Sequence, residues 1–381
     1  MRIYLLLVVI AATVTFLLTP LVRWAAFRAG AITAVRERDV HVTPIPRMGG
    51  VAMFAGIAVA LLLASRMPFL AGVFAATDTA WAILGGAALV TLLGVADDIW
   101  DLDWFTKLMG QVLAAGLMAW VGGVQLYAVP IGGLTIGSSR LSLVATVLVV
   151  VIAANAVNFV DGLDGLAAGL IAIGGTGFFI YTYLLARDAS PSDYSNVATV
   201  VIAVLVGACL GFLPHNLHPA RIFMGDSGSM LIGLTIAAAA IVVTGQVDAG
   251  TVSERQQFPA FLPIILPVAV LLLPLLDMAL AVVRRLAQGH SPFRPDRLHM
   301  HHRLLQLGHS HRRAVAIMYL WTAVVSFGAA ALAVWSTERV LVVTGVAAAV
   351  ALVLTLGPLR GRGRTDIAEE PAAAGSREGA P

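Results

Sequence analysis

The sequence predicts an all-α, polytopic integral membrane protein with about eleven transmembrane helices and its chemistry in the connecting loops. Three observations carry this. Of 381 residues, 59% are hydrophobic, and the mean hydropathy is +0.90. Only 12% are charged, against roughly 25% in soluble domains. Apolar runs recur along nearly the whole chain, each close to the ~20 residues that cross a bilayer as a helix. No soluble interior could hide so much apolar surface, so the bilayer must be the solvent.

In chain order the runs fall near residues 3–22, 48–65, 80–96, 107–122, 141–159, 164–186, 196–213, 229–245, 259–283, 313–335 and 338–357. The first is too long for a signal peptide, lacks a small-residue cleavage pattern and leads into further spans, so it reads as a retained helix. The ninth carries Pro259, Pro263, Pro267 and Pro274. Each proline removes a backbone donor, so this span is expected to bend. Residues 1–359 form one multi-span membrane domain in this reading. The tail 360–381, rich in Gly, Ala, Glu and Arg, is expected to be disordered. Cys209 is the single cysteine and lies in an apolar run, which excludes a disulfide framework or a cysteine metal site. No internal repeat of the kind common in transporters is found.

Basic residues orient the chain, because positively charged loops stay cytoplasmic. Of the 24 lysines and arginines, 18 fall in one set of alternating loops, from Arg23 to the tail, and 6 in the other. The N-terminus is therefore expected outside and the C-terminus in the cytoplasm. The loops dense in Asp, Asn and His then all fall on the cytoplasmic side.

Four of those loops carry chemistry. The third span runs into GVADDIWDLDWFTKLMGQ, placing Asp97, Asp98, Asp101 and Asp103 just before Lys107. Adjacent helical side chains project about 100° apart, so of Asp97 and Asp98 one can serve a metal and the other a substrate proton; a solvated helix end is the alternative. The fifth span ends in NAVNFVDGLDGLAAG, where Asn155, Asn158, Asp161 and Asp164 would form one polar stripe on a helix. Amides and carboxylates together suit the edges of a uracil and the hydroxyls of a sugar; a helix-packing stripe is the alternative. HNLHPARIFMGDSGSM offers Asn216, a flat ring for stacking in Phe223, and in Asp226 the hard oxygen that magnesium takes. A plain helix cap is the other reading there. The longest internal loop gathers His290, His299, His301, His302, His309 and His311 among arginines. Such a loop wants phosphate, with a zinc site or a lipid-headgroup patch as alternatives. Weaker is RERDVHVTPIPRMGGVAMF, with His41 and Arg47 before Gly49 and Gly50.

PIPRMGG, DDIWDL, NAVNFVDGLDGL, FMGDSGS and HMHHRLL occur in that order. Together they resemble the bacterial polyprenyl-phosphate N-acetylhexosamine-1-phosphate transferases, which include WecA, TagO and MraY. HMHHRLL is similar to the WecA and TagO form, whereas MraY enzymes tend to have three adjacent histidines followed by Phe-Glu. The resemblance implies a UDP-N-acetylhexosamine donor, UDP-GlcNAc in preference to UDP-MurNAc-pentapeptide, and a polyprenyl phosphate acceptor such as undecaprenyl phosphate. It also implies a requirement for magnesium, with manganese as a substitute, release of UMP, and residence in the bacterial plasma membrane. It casts Asp97 as the residue that keeps the lipid phosphate deprotonated, with Asp98, His301 and His302 beside the phosphates. Asp226 becomes the metal ligand, joined by Asp98. Asn158, Asp161, Asp164, Asn216 and Phe223 fall on the nucleoside side, while Arg47, Lys107, His299 and Arg303 line the substrate cleft. No nucleic-acid partner is expected, and a homodimer is compatible with the sequence. The rival class is an ion-coupled transporter, whose carboxylates should sit near midspan.

Overall fold

In the computed structural model the described residues are 1–32, 44–127, 138–189, 196–245, 257–289, 291 and 299–357. His41, His290 and the tail 360–381 lie outside them. The described residues form α1 (Arg2–Ala29), α2 (Gly49–Ala64), α3 (Pro68–Ala76), α4 (Thr79–Trp100), α5 (Trp104–Gly122), α6 (Ser139–Val160) and α7 (Leu166–Ala189). They continue with α8 (Val197–Asn216), α9 (Gly225–Thr244), α10 (Gln257–Val270), α11 (Leu272–Ala287), α12 (Met300–Gln306), α13 (His311–Ala331) and α14 (Thr337–Leu356). Nine of these are long and apolar enough to cross a membrane, or up to 11 if each of two bent pairs is one span. The chain is a multi-span membrane protein.

The expected bend in the ninth run lies between α10 and α11, which meet at 69°. Pro274 cannot donate to the Val270 carbonyl, which frees the break at Leu271. The second run is α2, and a short helix that lies beyond the run, α3, follows it. α2 stops at Ala64, and α3 leaves at 101° with Pro68 in its first turn, where proline's missing N–H costs nothing.

α8 and α9 form the centre. Along its apolar stretch α9 is 89% buried, whereas α14 is 11% buried and faces outward. α9 packs against α2, α4, α6 and α8. Its first turn comes so close to α2 and α4 that a Cβ at Gly50 would fall into the backbone of Ser227 and Gly228, and one at Gly94 into that of Asp226 and Ser227. Only glycine permits that approach. On the far side, Pro20 in α1 leaves the Phe16 carbonyl without its helical partner, and His215 Nε2 donates to it at 3.1 Å. His215→Leu should remove that hydrogen bond and lower stability by about 0.5–1.5 kcal/mol, read as an earlier thermal unfolding transition in detergent.

Candidate active site

α4, α5, α6 and α9 each bring one polar side chain to a common point. Lys107, one turn into α5, sets its Nζ 2.8 Å from Asp97 Oδ2 and 3.1 Å from Asp226 Oδ2. Asn158 Nδ2 donates to the other Asp226 oxygen at 2.8 Å and to Ser229 Oγ at 3.0 Å. Asp97 Oδ1 accepts the Leu102 N–H at 2.8 Å. The start of α5 is fixed by Asp103, whose Oδ1 accepts the N–H groups of Phe105 and Thr106 as an N-cap. Two carboxylates thus aim at one cationic point. Hard oxygen donors of this kind suit magnesium, and the Asp97–Asp226 pair fits such an ion.

Asp98 stands one layer behind. Its Oδ1 accepts the Asp226 N–H at 3.0 Å, and its Oδ2 accepts the Ser227 N–H at 3.4 Å and the Ser227 hydroxyl at 2.9 Å. Asp98, read with Asp226 as a metal ligand, thus also binds the first turn of α9 through both of its oxygens. That turn begins at Gly225, so the GDSGS segment is itself the first turn of α9.

The polar stripe is shorter than expected. α6 ends at Val160, and only Asn155 and Asn158 are helical; Asp161 is the C-cap, and Gly165 at φ +77° closes the turn that holds Asp164. The glycines won over the helical spacing. Asp161 is pushed up to about 7, first by burial and then by the nearby charges of Asp226 and Asp98, with Arg47 pulling the other way. Arg47 is positioned by backbone pairing: its N–H donates to Ala31, Phe223 donates to Pro46, and Gly49 and Gly50 donate to Phe223 and Met224. PIPRMGG and FMGDSGS are therefore two edges of one structure.

Asn216 and Asp164, read as nucleoside contacts, are 2% exposed each and hold loops in this structure. Asn216 accepts the Gly165 N–H at 3.1 Å and donates to the Ile222 carbonyl at 2.9 Å. Asp164 Oδ2 accepts from the Ala220 N–H at 3.1 Å and lies 2.7 Å from His218 Nδ1. His311 stacks on His218, with ring planes 23° apart. Asp164, His218 and His311 are close enough to suggest a metal, but near-parallel rings do not aim their in-plane lone pairs at one ion.

His301 and His302 ride on α12, a short helix within the loop, with His299 at its N-cap. His301 is buried against Gly162, beside Asp161. Burial first, then the His302 charge, lowers its pKa to about 3, which favours the neutral imidazole at physiological pH. His302 is also lowered, chiefly by burial. His299 stands edge-on to Phe159, and Arg303 is exposed.

A cavity of about 470 Å³ opens beside the cluster. Lys107, Asp226, Asn158, Asn155 and Gln111 form its polar part, and Leu102, Trp104, Leu108, Val151, Ile152, Met230 and Met278 its apolar part. Gln111 was not singled out in the sequence. It is buried in α5 and accepts from Asn155 Nδ2 at 2.7 Å.

The family profile described as glycosyl transferase family 4 matches residues 80–244, the stretch from α4 through α9. The decaprenyl-phosphate N-acetylglucosaminephosphotransferase of Mycolicibacterium smegmatis is 46% identical over 364 residues, 95% of this chain and 89% of that protein. The probable undecaprenyl-phosphate N-acetylglucosaminyl 1-phosphate transferase of Bacillus subtilis is 34% identical over 82% of this chain and 80% of its own length. A phospho-N-acetylmuramoyl-pentapeptide-transferase from Desulforudis audaxviator is 31% identical over 83% of this chain and 94% of its own length. With the ordered motifs converging on one cluster and likeness of this extent, the chain belongs to glycosyl transferase family 4, in the group that holds the WecA- and TagO-type transferases.

Proposed function

We propose that the protein transfers N-acetylglucosamine 1-phosphate from UDP-GlcNAc to a polyprenyl phosphate, giving a lipid-linked diphosphate sugar and UMP, on the cytoplasmic side of the membrane. The observation that carries the reading is the Asp97–Lys107–Asp226–Asn158 cluster beside a cavity whose lining joins Lys107, Asp226, Asn158, Asn155 and Gln111 to a larger set of apolar side chains. That is the shape of a phosphate on a hydrocarbon chain. The relatives named for N-acetylglucosamine transfer at 46% and 34% identity favour this over transfer of a muramoyl pentapeptide. Against an ion pathway stands the position of the carboxylates, at the last turn of α4 and the first turn of α9.

In the proposed mechanism the prenyl chain lies along Trp104, Leu108, Met230 and Met278, and the Lys107 ammonium holds its phosphate. Asp97 takes any proton left on that phosphate, so an unprotonated oxygen faces the donor. This oxygen attacks the phosphorus next to the sugar; the new P–O bond forms as the bond to the UMP oxygen breaks, and UMP leaves with the electron pair. A divalent cation held by Asp226 would neutralise charge on the diphosphate. Asn158 fixes Asp226, and neutral His301 offers a hydrogen bond without adding charge. Asp161 and Phe223 are assigned to the nucleoside, Arg47, His302 and Arg303 to the sugar and phosphates.

The test incubates the full chain, purified in detergent, with UDP-GlcNAc, decaprenyl or undecaprenyl phosphate and magnesium or manganese. UMP release and a product of the mass of prenyl-diphosphate-GlcNAc are expected, both abolished by EDTA. Product from UDP-MurNAc-pentapeptide alone, or no product with either donor, would overturn the proposal.

A further inference from the structure

Asp277 is a carboxylate in the middle of an apolar helix, 2% exposed. Burying a charge there is costly and is tolerated where both oxygens are engaged. Both partners lie at the start of α12: Oδ1 accepts the Met300 N–H at 2.7 Å, and Oδ2 is 3.1 Å from His299 Nδ1. α12 has seven residues, and His299 at its N-cap supplies no side-chain cap of its own. A helix this short does not hold itself in water, and its first N–H groups need outside acceptors. Asp277 meets that need from another helix. Through His299 it also fixes a ring array, since the His299 and His301 planes lie 6° apart with centroids at 5.6 Å, and His301 stands 4.4 Å from His302. The next residue, Met278, lines the cavity, so α11 borders the cavity with one side chain and grips α12 with its neighbour.

We propose that Asp277 is a positioning residue for the transfer reaction: it holds the seven-residue α12 so that His301 and His302 face the reacting phosphates. This rests on the function proposed above. Asp277 touches no reacting atom; it acts through His299 and the α12 backbone.

The test compares Asp277→Leu and Asp277→Asn in the full chain. Asp277→Leu should lower kcat for UMP release by about 10²-fold, the usual cost of misplacing a reacting group by ~1 Å, while KM for UDP-GlcNAc stays within about threefold. Asp277→Asn keeps an acceptor for the Met300 N–H and should recover about tenfold of that loss. In a Cys209→Ala background, nitroxides at Gln306→Cys on α12 and Arg312→Cys on α13 report position directly. With Asp277→Leu the α12 label should gain mobility and the α13 label should not change. Wild-type kcat in Asp277→Leu would overturn the proposal. So would slow turnover with an unchanged α12 spectrum, or loosening of both labels together. If the unsubstituted chain releases no UMP, the transferase reading fails, and the two labels still decide whether Asp277 holds α12.

Discussion

Membranes carrying Asp226→Asn or Asp97→Asn should contain the folded chain at normal levels yet release UMP from UDP-GlcNAc at least about 10³-fold more slowly. Each substitution keeps the side chain's shape and removes one negative charge. Asp226 is the more severe case, because it joins α5, through Lys107, to α6, through Asn158. As an asparagine it turns an amide towards one of those two donors and can no longer hold a divalent cation. Asp97→Asn leaves an acceptor for the Leu102 N–H and so keeps the α4–α5 corner, but the lipid phosphate loses its base. Initial rates, normalised to protein recovered as a single peak on size-exclusion chromatography, measure both. Turnover like the parent's in the two variants would remove the catalytic assignment.

Gly50→Ala and Gly94→Ala should each destabilise the protein by about 1–3 kcal/mol or more and abolish UMP release. The methyl at either position meets backbone, not the movable end of a side chain. The first turn of α9 would have to retreat, taking Asp226 with it. Gly85→Ala in α4 and Gly116→Ala in α5 are matched controls, with open space where the methyl would go; they should be neutral or raise stability by up to about 1 kcal/mol, since alanine favours the helix. Thermal unfolding in detergent, followed by tryptophan fluorescence, separates the pairs.

The membrane architecture was legible because apolar area is additive: a run such as residues 338–357 reads as a span whatever it packs against. Direction changes were legible only where a side chain enforces them. The proline series announced the α10–α11 break, while the 101° corner between α2 and α3 rests on a short polar link that hydropathy reads as loop. The cluster itself was half visible. Asp97, Lys107, Asn158 and Asp226 stood out as polar groups at span ends, but which carboxylate meets Lys107, and that Asp98 instead grips α9, depends on approaches set by Gly50 and Gly94 across the helix packing. The stripe from Asn155 to Asp164 misled because the three-residue spacing continued past the helix that gave it meaning. Asp277 could have been found: it is an acid alone in LLPLLDMALAVV, and such a residue in a span needs a partner.

The grip of Asp98 on the leading turn of α9 bears on how this protein can recognise anions at all. The amino end of a helix is electropositive, and many nucleotide-binding proteins set a phosphate there. Here that pole already faces a carboxylate of the same chain, so an incoming diphosphate finds it screened. Under the proposed function, recognition would then fall to individual side chains and to a divalent cation, while the electropositive pole of α9 faces Asp98.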